Sequence, residues 1–132
     1  MSKTDVLVVD DDITLCRMLR RMLSEGQYNV ETSQSITDAL ATIERKHFDV
    51  YVIDYNLLDG SAIDIAERIR SNGSQAPIIL ISGYHRSAIA LRAKGLQISD
   101  CLDKPFSRAE LAKAMKKAIG STPPIDPRIS RT

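Results

Sequence analysis

Apolar positions along the chain fall into two alternating patterns. Short continuous runs, VLVV (6–9), VYVI (50–53) and PIILI (77–81), are rich in β-branched residues and read as strands covered on both faces. YNVET (28–32) and CLD (101–103) are weaker strand candidates. Between these runs, Leu15, Met18, Leu19, Met22 and Leu23 recur at the spacing of a helix with one buried stripe. Ile36, Ala39, Leu40 and Ile43 repeat that spacing. Ala62, Ala66 and Ile69 mark a third helix, residues 87–94 a shorter fourth, and Leu111, Met115 and Ile119 a fifth. Ser35 with Asp38, and Ser107 with Glu110, form capping boxes at two of the helix starts.

Strands and helices in regular alternation predict an α/β domain, with right-handed crossovers joining parallel strands and helices on both sheet faces. The folded unit is expected over residues 1–119. Residues 120–132, GSTPPIDPRISRT, carry three prolines and no apolar period, so they cannot prolong the last helix and are expected to form a tail or linker stub.

Composition narrows the function. A chain of 132 residues, 43% apolar and 27% charged, is the size of one domain with one core. Its formal net charge of +1 offers no basic surplus for neutralising a phosphate backbone, which argues against direct nucleic-acid binding. Residues 1–9 lack the apolar core of a signal peptide, and no apolar run approaches a membrane span. A cytoplasmic protein, with no membrane partner, is expected. Cys16 and Cys101 are too far apart for a CxxC motif and are expected to be core thiols.

Candidate chemistry gathers at the strand ends. In VLVVDDDITL, three aspartates follow the first strand. Two unit charges about 4 Å apart repel by roughly 4 kcal/mol at an effective dielectric near 20, so a compensating cation is expected. Ligands in open α/β sheets sit outside the carboxyl ends of the strands. That rim collects Asp10, Asp11 and Asp12 from the first strand, Asp54 from the third, Ser82 and Gly83 from the fourth, and Lys104 and Pro105 from the fifth. Carboxylates with one lysine and one hydroxyl form a hard-oxygen cage suited to magnesium and a phosphate oxygen.

VLVVDD (6–11), Asp54 in YVIDYNLLDG (51–60), ILISG (79–83) and DKPF (103–106) resemble the receiver domain of two-component response regulators, in order, over residues 5–119. The resemblance implies a flavodoxin-like, doubly wound, five-stranded parallel sheet of order 2-1-3-4-5 with five helices. It implies that Asp54 is the phosphoacceptor, that Asp10, Asp11, Asp54 and the Asn56 carbonyl bind Mg2+, that Asp12 instead begins the first helix, where unpaired N–H groups and the helix dipole favour a carboxylate, that Ser82 hydrogen-bonds the phosphoryl group and that Lys104 neutralises it. The donor would be a sensor histidine kinase or a histidine phosphotransfer protein, and the chain would be a switch rather than an enzyme. The resemblance also admits a homodimer on activation, through the fourth helix, fifth strand and fifth helix. Two positions depart from the family pattern. Cys101 stands where an aromatic residue usually accompanies activation, and Leu58 replaces a usual proline, with the turn-forming pair Asp59-Gly60 retained. A smaller movement of the fifth strand is therefore expected, with residues 83–86, including Tyr84 and His85, carrying more of the signal.

Other readings stand beside this one. Asp10-x-Asp12-x-Thr14-Leu15 resembles the first motif of haloacid-dehalogenase-type phosphatases, with Ser82 and Lys104 as later motifs. Against it, no acidic pair follows Lys104 on another strand, no cap insertion is present, and Asp54 would have no role. A flavin site would need a Ser/Thr/Gly-rich loop after the first strand, where the aspartates stand. A receiver-shaped module that only binds protein is the remaining alternative. His47 and His85 have no His or Cys partner in sequence and read as solvated residues. Arg17, Arg20 and Arg21 read as a solvated helix face, or as a docking patch for the histidine donor.

Overall fold

The computed structural model describes residues 3–57, 59–83 and 95–120. In chain order the elements are β1 (Thr4–Val9), α1 (Ile13–Ser24), β2 (Tyr28–Ser33), α2 (Ile36–Arg45), β3 (Val50–Asp54), β4 (Asn56–Leu57), β5 (Gly60–Ser61), α3 (Ala62–Ser71), β6 (Ile78–Ser82), β7 (Asp100–Asp103) and α4 (Arg108–Gly120). Five strands form one sheet in the order β2-β1-β3-β6-β7, parallel throughout. Counting only those strands, the order is the expected 2-1-3-4-5. The expected helix at 87–94 and most of the 83–86 loop, with His85, lie outside the described residues, as does Leu58.

The continuous apolar runs hide a period of two. Leu7, Val9, Tyr51, Ile53, Ile78 and Leu80 face a core shared with α2 and α3. Their neighbours Val6, Val8, Val50, Val52, Ile79 and Ile81 face a second core shared with Cys16, Leu19 and Leu23 of α1 and Leu111, Met115 and Ala118 of α4. A sheet wetted on neither face needs apolar residues at every position, so the alternation vanishes from the sequence while persisting in space. Each fully buried aliphatic side chain contributes about 1.5–3 kcal/mol.

The helix stripes differ from expectation at two positions. Met18 is 44% and Ile119 39% exposed, while Ala118 and Cys16, the latter expected as a core thiol, are buried. Small residues fit closer to the sheet, so the buried stripe runs through Cys16, Leu19 and Leu23 in α1 and through Leu111, Ala114, Met115 and Ala118 in α4. Both serines cap as expected, and the reciprocal box forms at Ser107. Ser35 Oγ accepts the Asp38 N–H at 3.0 Å. Ser107 and Glu110 exchange bonds, with Glu110 N–H to Ser107 Oγ at 3.0 Å and Ser107 N–H to Glu110 Oε1 at 2.8 Å. Arg20 is not simply solvated, because its Nη2 donates to Val30 O at 3.0 Å on edge strand β2, shielding an open backbone acceptor. Arg17 and His47 are exposed.

Arg70 organises the far end of the sheet. From α3 its guanidinium donates to Ser74 O (3.1 Å), Ala76 O (2.7 Å), Leu96 O (2.9 Å) and Gln97 O (3.2 Å). It thereby joins the chain entering β6 to the chain entering β7. Burial pulls its pKa below the usual arginine value, as expected for a cation compensated by dipoles rather than by a carboxylate.

Candidate functional site

The end of β1 turns sharply into α1, and this turn gives each of the neighbouring aspartates a different environment. Asp10 is 1% exposed, and its Oδ1 accepts the Asp12 N–H at 2.9 Å. Asp12 is the N-cap of α1, accepting from Thr14 N–H (2.9 Å) and Leu15 N–H (3.2 Å). A carboxylate there is favoured by the unpaired helix donors. Asp11, between them, is only partly buried. The three like charges are thus separated into a buried acid, a rim acid and a helix cap, and the Asp12 carboxylate is taken up by backbone.

Asp54 ends β3 and is 5% exposed. Its neighbour β6 pairs Ile81 with Asp54 and places Ser82, 1% exposed, one position beyond, and Tyr55 N–H donates to Ile81 O at 2.8 Å across that junction. Beyond β7, Lys104 N–H donates to Ser82 O at 2.9 Å, which fixes the lysine backbone against the end of β6. Its Nζ then reaches Asp54 Oδ2 at 3.2 Å and stands 3.6 Å from Asp10 Oδ2. The first is a charge-assisted hydrogen bond and the second an ion pair beyond hydrogen-bond reach. Residues 50 positions apart meet here only because three parallel strands end together.

The site carries more negative charge than its lysine offsets. Carboxylate oxygens of Asp10, Asp11 and Asp54 lie within 4.8 Å of one another. Burial, helped by mutual repulsion and opposed by the Asp12 N–H and Lys104, pushes the Asp10 pKa above the ordinary aspartate value. Burial likewise raises Asp54 in spite of its bond to Lys104. Lys104 is itself raised: burial opposes its charge, but Asp54 and Asp10 together outweigh that. Among the described residues, Asp10 Oδ2 is a buried side-chain oxygen with no hydrogen-bond donor. Clustered carboxylates, an orphaned buried oxygen and one partial counter-charge fit a hard divalent cation.

Asn56 is exposed, and its N–H lies 3.4 Å from Asp54 Oδ1. It begins a small antiparallel hairpin, β4–β5, pairing Asn56 with Ser61 and Leu57 with Gly60. Neither this hairpin nor a contact between Asp59 and α2 is legible in the sequence. In sequence Asp59 shows only turn chemistry, because its partners stand more than twenty positions upstream. Cys101 is half-buried against the core beneath α2 and α3.

Residues 6–116 match the family described as the response regulator receiver domain. The chain belongs to this family. Among relatives, this receiver domain is similar to the transcriptional regulatory protein ZraR of Salmonella typhimurium, 31% identical over 120 residues that cover 91% of this chain and 27% of that protein. It is also similar to the response regulator MprA of Mycolicibacterium vanbaalenii, 33% identical over 123 residues that cover 92% of this chain and 52% of that protein. The chain therefore spans about a quarter to a half of the length of these curated relatives. Among solved structures, the chemotaxis protein CheY4 of Vibrio cholerae superposes with a TM-score of 0.81 at 26% identity, covering 89% of this chain and 99% of that one. A receiver domain of a two-component system, with the flavodoxin-like receiver fold, is what sequence family and architecture jointly establish. No described helix is long and apolar enough to cross a membrane.

Proposed function

We propose that this receiver domain accepts a phosphoryl group on Asp54 and acts as a switch, not as an enzyme that turns over a substrate. The observation that carries this reading is the meeting of Asp54, Asp10, Asp11 and Lys104 at one rim, with Lys104 Nζ 3.2 Å from Asp54 Oδ2. A sensor histidine kinase or a histidine phosphotransfer protein is the proposed donor. An Asp54 carboxylate oxygen bonds to phosphorus as the nitrogen–phosphorus bond of the donor breaks, and the electron pair leaves with the imidazole nitrogen.

The protein's part in this reaction is position and charge. Lys104, held beside the acceptor by its main-chain bond to Ser82, offsets charge on the incoming oxygens as a compact cation. The hydroxyl of Ser82, at the end of the adjacent strand, is the group to hydrogen-bond the transferred phosphoryl. Asp10, Asp11 and Asp54, with the Asn56 carbonyl, would hold Mg2+, which when bound supplies the positive charge that lets an anionic acceptor approach an anionic phosphoryl. Aspartyl phosphate then biases a two-state equilibrium of the surrounding loops, which changes partner binding.

Incubation with acetyl phosphate and magnesium tests this. Intact mass should show one phosphoryl group labile to base and to hydroxylamine, and peptide mapping after borohydride reduction should place it on Asp54. Asp54→Asn should remove it and Asp12→Ala should retain it. A label on Asp10 with steady hydrolysis of a phosphomonoester would overturn the switch in favour of phosphatase chemistry.

A further inference from the structure

The loop that follows Asp54 is fastened at both its base and its tip. At the base, Ala62 N–H donates to Tyr55 O at 3.0 Å, and Ser61 Oγ accepts the Ile63 N–H at 3.1 Å as α3 begins. At the tip, Asp59 reaches across to the first turn of α2. Its Oδ1 accepts the Ile36 N–H at 3.0 Å, while its Oδ2 lies 3.3 Å from the Thr37 nitrogen and 3.4 Å from Thr37 Oγ1. These donors, Ile36 N–H foremost, hold the Asp59 carboxyl below the ordinary aspartate value. Gly60 makes the approach close. Its φ is +148°, and a Cβ there would stand 2.5 Å from Ile36 Cδ1.

Two features separate this contact from ordinary helix capping. First, α2 already has its own N-cap, Ser35, bonded to the Asp38 N–H, so Asp59 satisfies donors that an exposed helix end would leave to water. Second, the segment leading into α2 is joined to the other side of the site, because Ser33 O accepts the Asp10 N–H at 3.0 Å. The start of α2 is thus linked through Ser33 to Asp10, just past the end of β1, and through Asp59 to the loop carrying Asn56. Asp59 is outside the cluster of carboxylates that converge within 4.8 Å, so it acts through the backbone.

We propose that Asp59 is a positioning residue that fastens the tip of the 56–61 hairpin to α2 and thereby sets where the Asn56 main-chain carbonyl stands beside Asp10, Asp11 and Asp54. This rests on the magnesium reading above. Rigidly placed supporting groups matter at such sites because a ligand held slightly out of place weakens metal binding and slows transfer.

The test compares Asp59→Ala, Asp59→Asn and Ser35→Ala with the wild-type chain. Ser35→Ala removes a cap from the same helix end without touching the hairpin. Amide hydrogen exchange of residues 56–61 in metal-free protein is read alongside urea stability and magnesium titration by amide NMR. Asp59→Ala should speed exchange within the hairpin and weaken magnesium about tenfold, the lower end of the loss seen when an orienting group is removed. Ser35→Ala should lower urea stability while leaving hairpin exchange and magnesium affinity at wild-type values. Asp59→Asn, which keeps one acceptor oxygen for the Ile36 N–H, should recover part of both. Equal behaviour of Asp59→Ala and Ser35→Ala would reduce Asp59 to a helix cap and overturn the proposal, as would faster hairpin exchange with unchanged magnesium affinity. A wild-type chain that binds no magnesium would defeat the metal reading, visibly before any variant is compared, and the positioning role with it.

Discussion

Asp54→Asn should make the metal-free protein more stable even though it removes a hydrogen-bonded ion pair. The ion pair with Lys104, at 3.2 Å, is worth about 5 kcal/mol at an effective dielectric near 20. Against it stand Asp10 and Asp11, whose carboxylate oxygens lie within 4.8 Å of that of Asp54. Each repels by at least about 3.5 kcal/mol on the same scale, or about 7 kcal/mol together. The balance favours the neutral amide by about 2 kcal/mol, and relief of the desolvation of a carboxylate 5% exposed adds to it. Allowing for relaxation of the rim, the expected gain is about 1–2 kcal/mol, or about 4–8 °C in Tm for a domain of this size. The pH dependence follows from the raised folded-state pKa. Ionisation disfavours the folded chain, so the wild-type penalty is absent below the ordinary value of 3.8, grows as pH rises from there to the folded pKa, and is constant above it. The mutant's advantage should therefore fade as pH falls through the raised folded-state pKa toward 4. Urea denaturation with a chelator, repeated with magnesium, measures this, and magnesium should narrow the difference by stabilising the wild type. A variant that is no more stable than wild type at pH 7 in chelator would refute the charge balance drawn here.

Further expectations concern separate parts of the molecule. Lys104→Ala should leave the fold intact, by circular dichroism, and slow labelling of Asp54 by acetyl phosphate about 100-fold, the order of loss when one preorganised charge stabiliser is removed; an unchanged labelling rate would contradict its role. The Cys16 thiol is 2% exposed, and burial, with Asp10 next, pushes its pKa up to about 11, so alkylation of native protein at pH 8 followed by peptide mapping should mark Cys101 and leave Cys16 unmodified until the chain is unfolded. Arg70→Ala should cost about 1–3 kcal/mol in urea denaturation by stranding carbonyls of the segments entering β6 and β7; a loss within error would show those carbonyls to be served equally well by water.

Local pattern and tertiary structure divided the information in a way that physical range explains. VLVV, VYVI and PIILI named their strands because burial on both faces leaves no room for a polar residue. Capping pairs such as Ser107 and Glu110 were readable because both partners lie within one helical turn. Strand ends were equally plain, and the rule that ligands gather there was enough to nominate Asp10, Asp54, Ser82 and Lys104 together. The order of the strands was not readable from periodicity, since parallel neighbours far apart in sequence leave no local trace, and it came through the resemblance.

What the sequence determined by itself was composition at each level of the sheet: which runs are buried, where strands stop, and which polar side chains stand at those stops. Only the tertiary structure decided how charge is shared there. It made Asp10 a buried acid facing Lys104, whereas the Asp12 cap is legible locally, because its partners Thr14 and Leu15 lie within one helical turn. It set Met18 and Ile119 outward, a choice made by how closely each helix approaches the sheet. It also brought Asp59 to the start of α2 and Arg70 to the entries of β6 and β7. Those contacts depend on distances between elements, which side-chain periodicity does not encode and which close packing of the two cores sets.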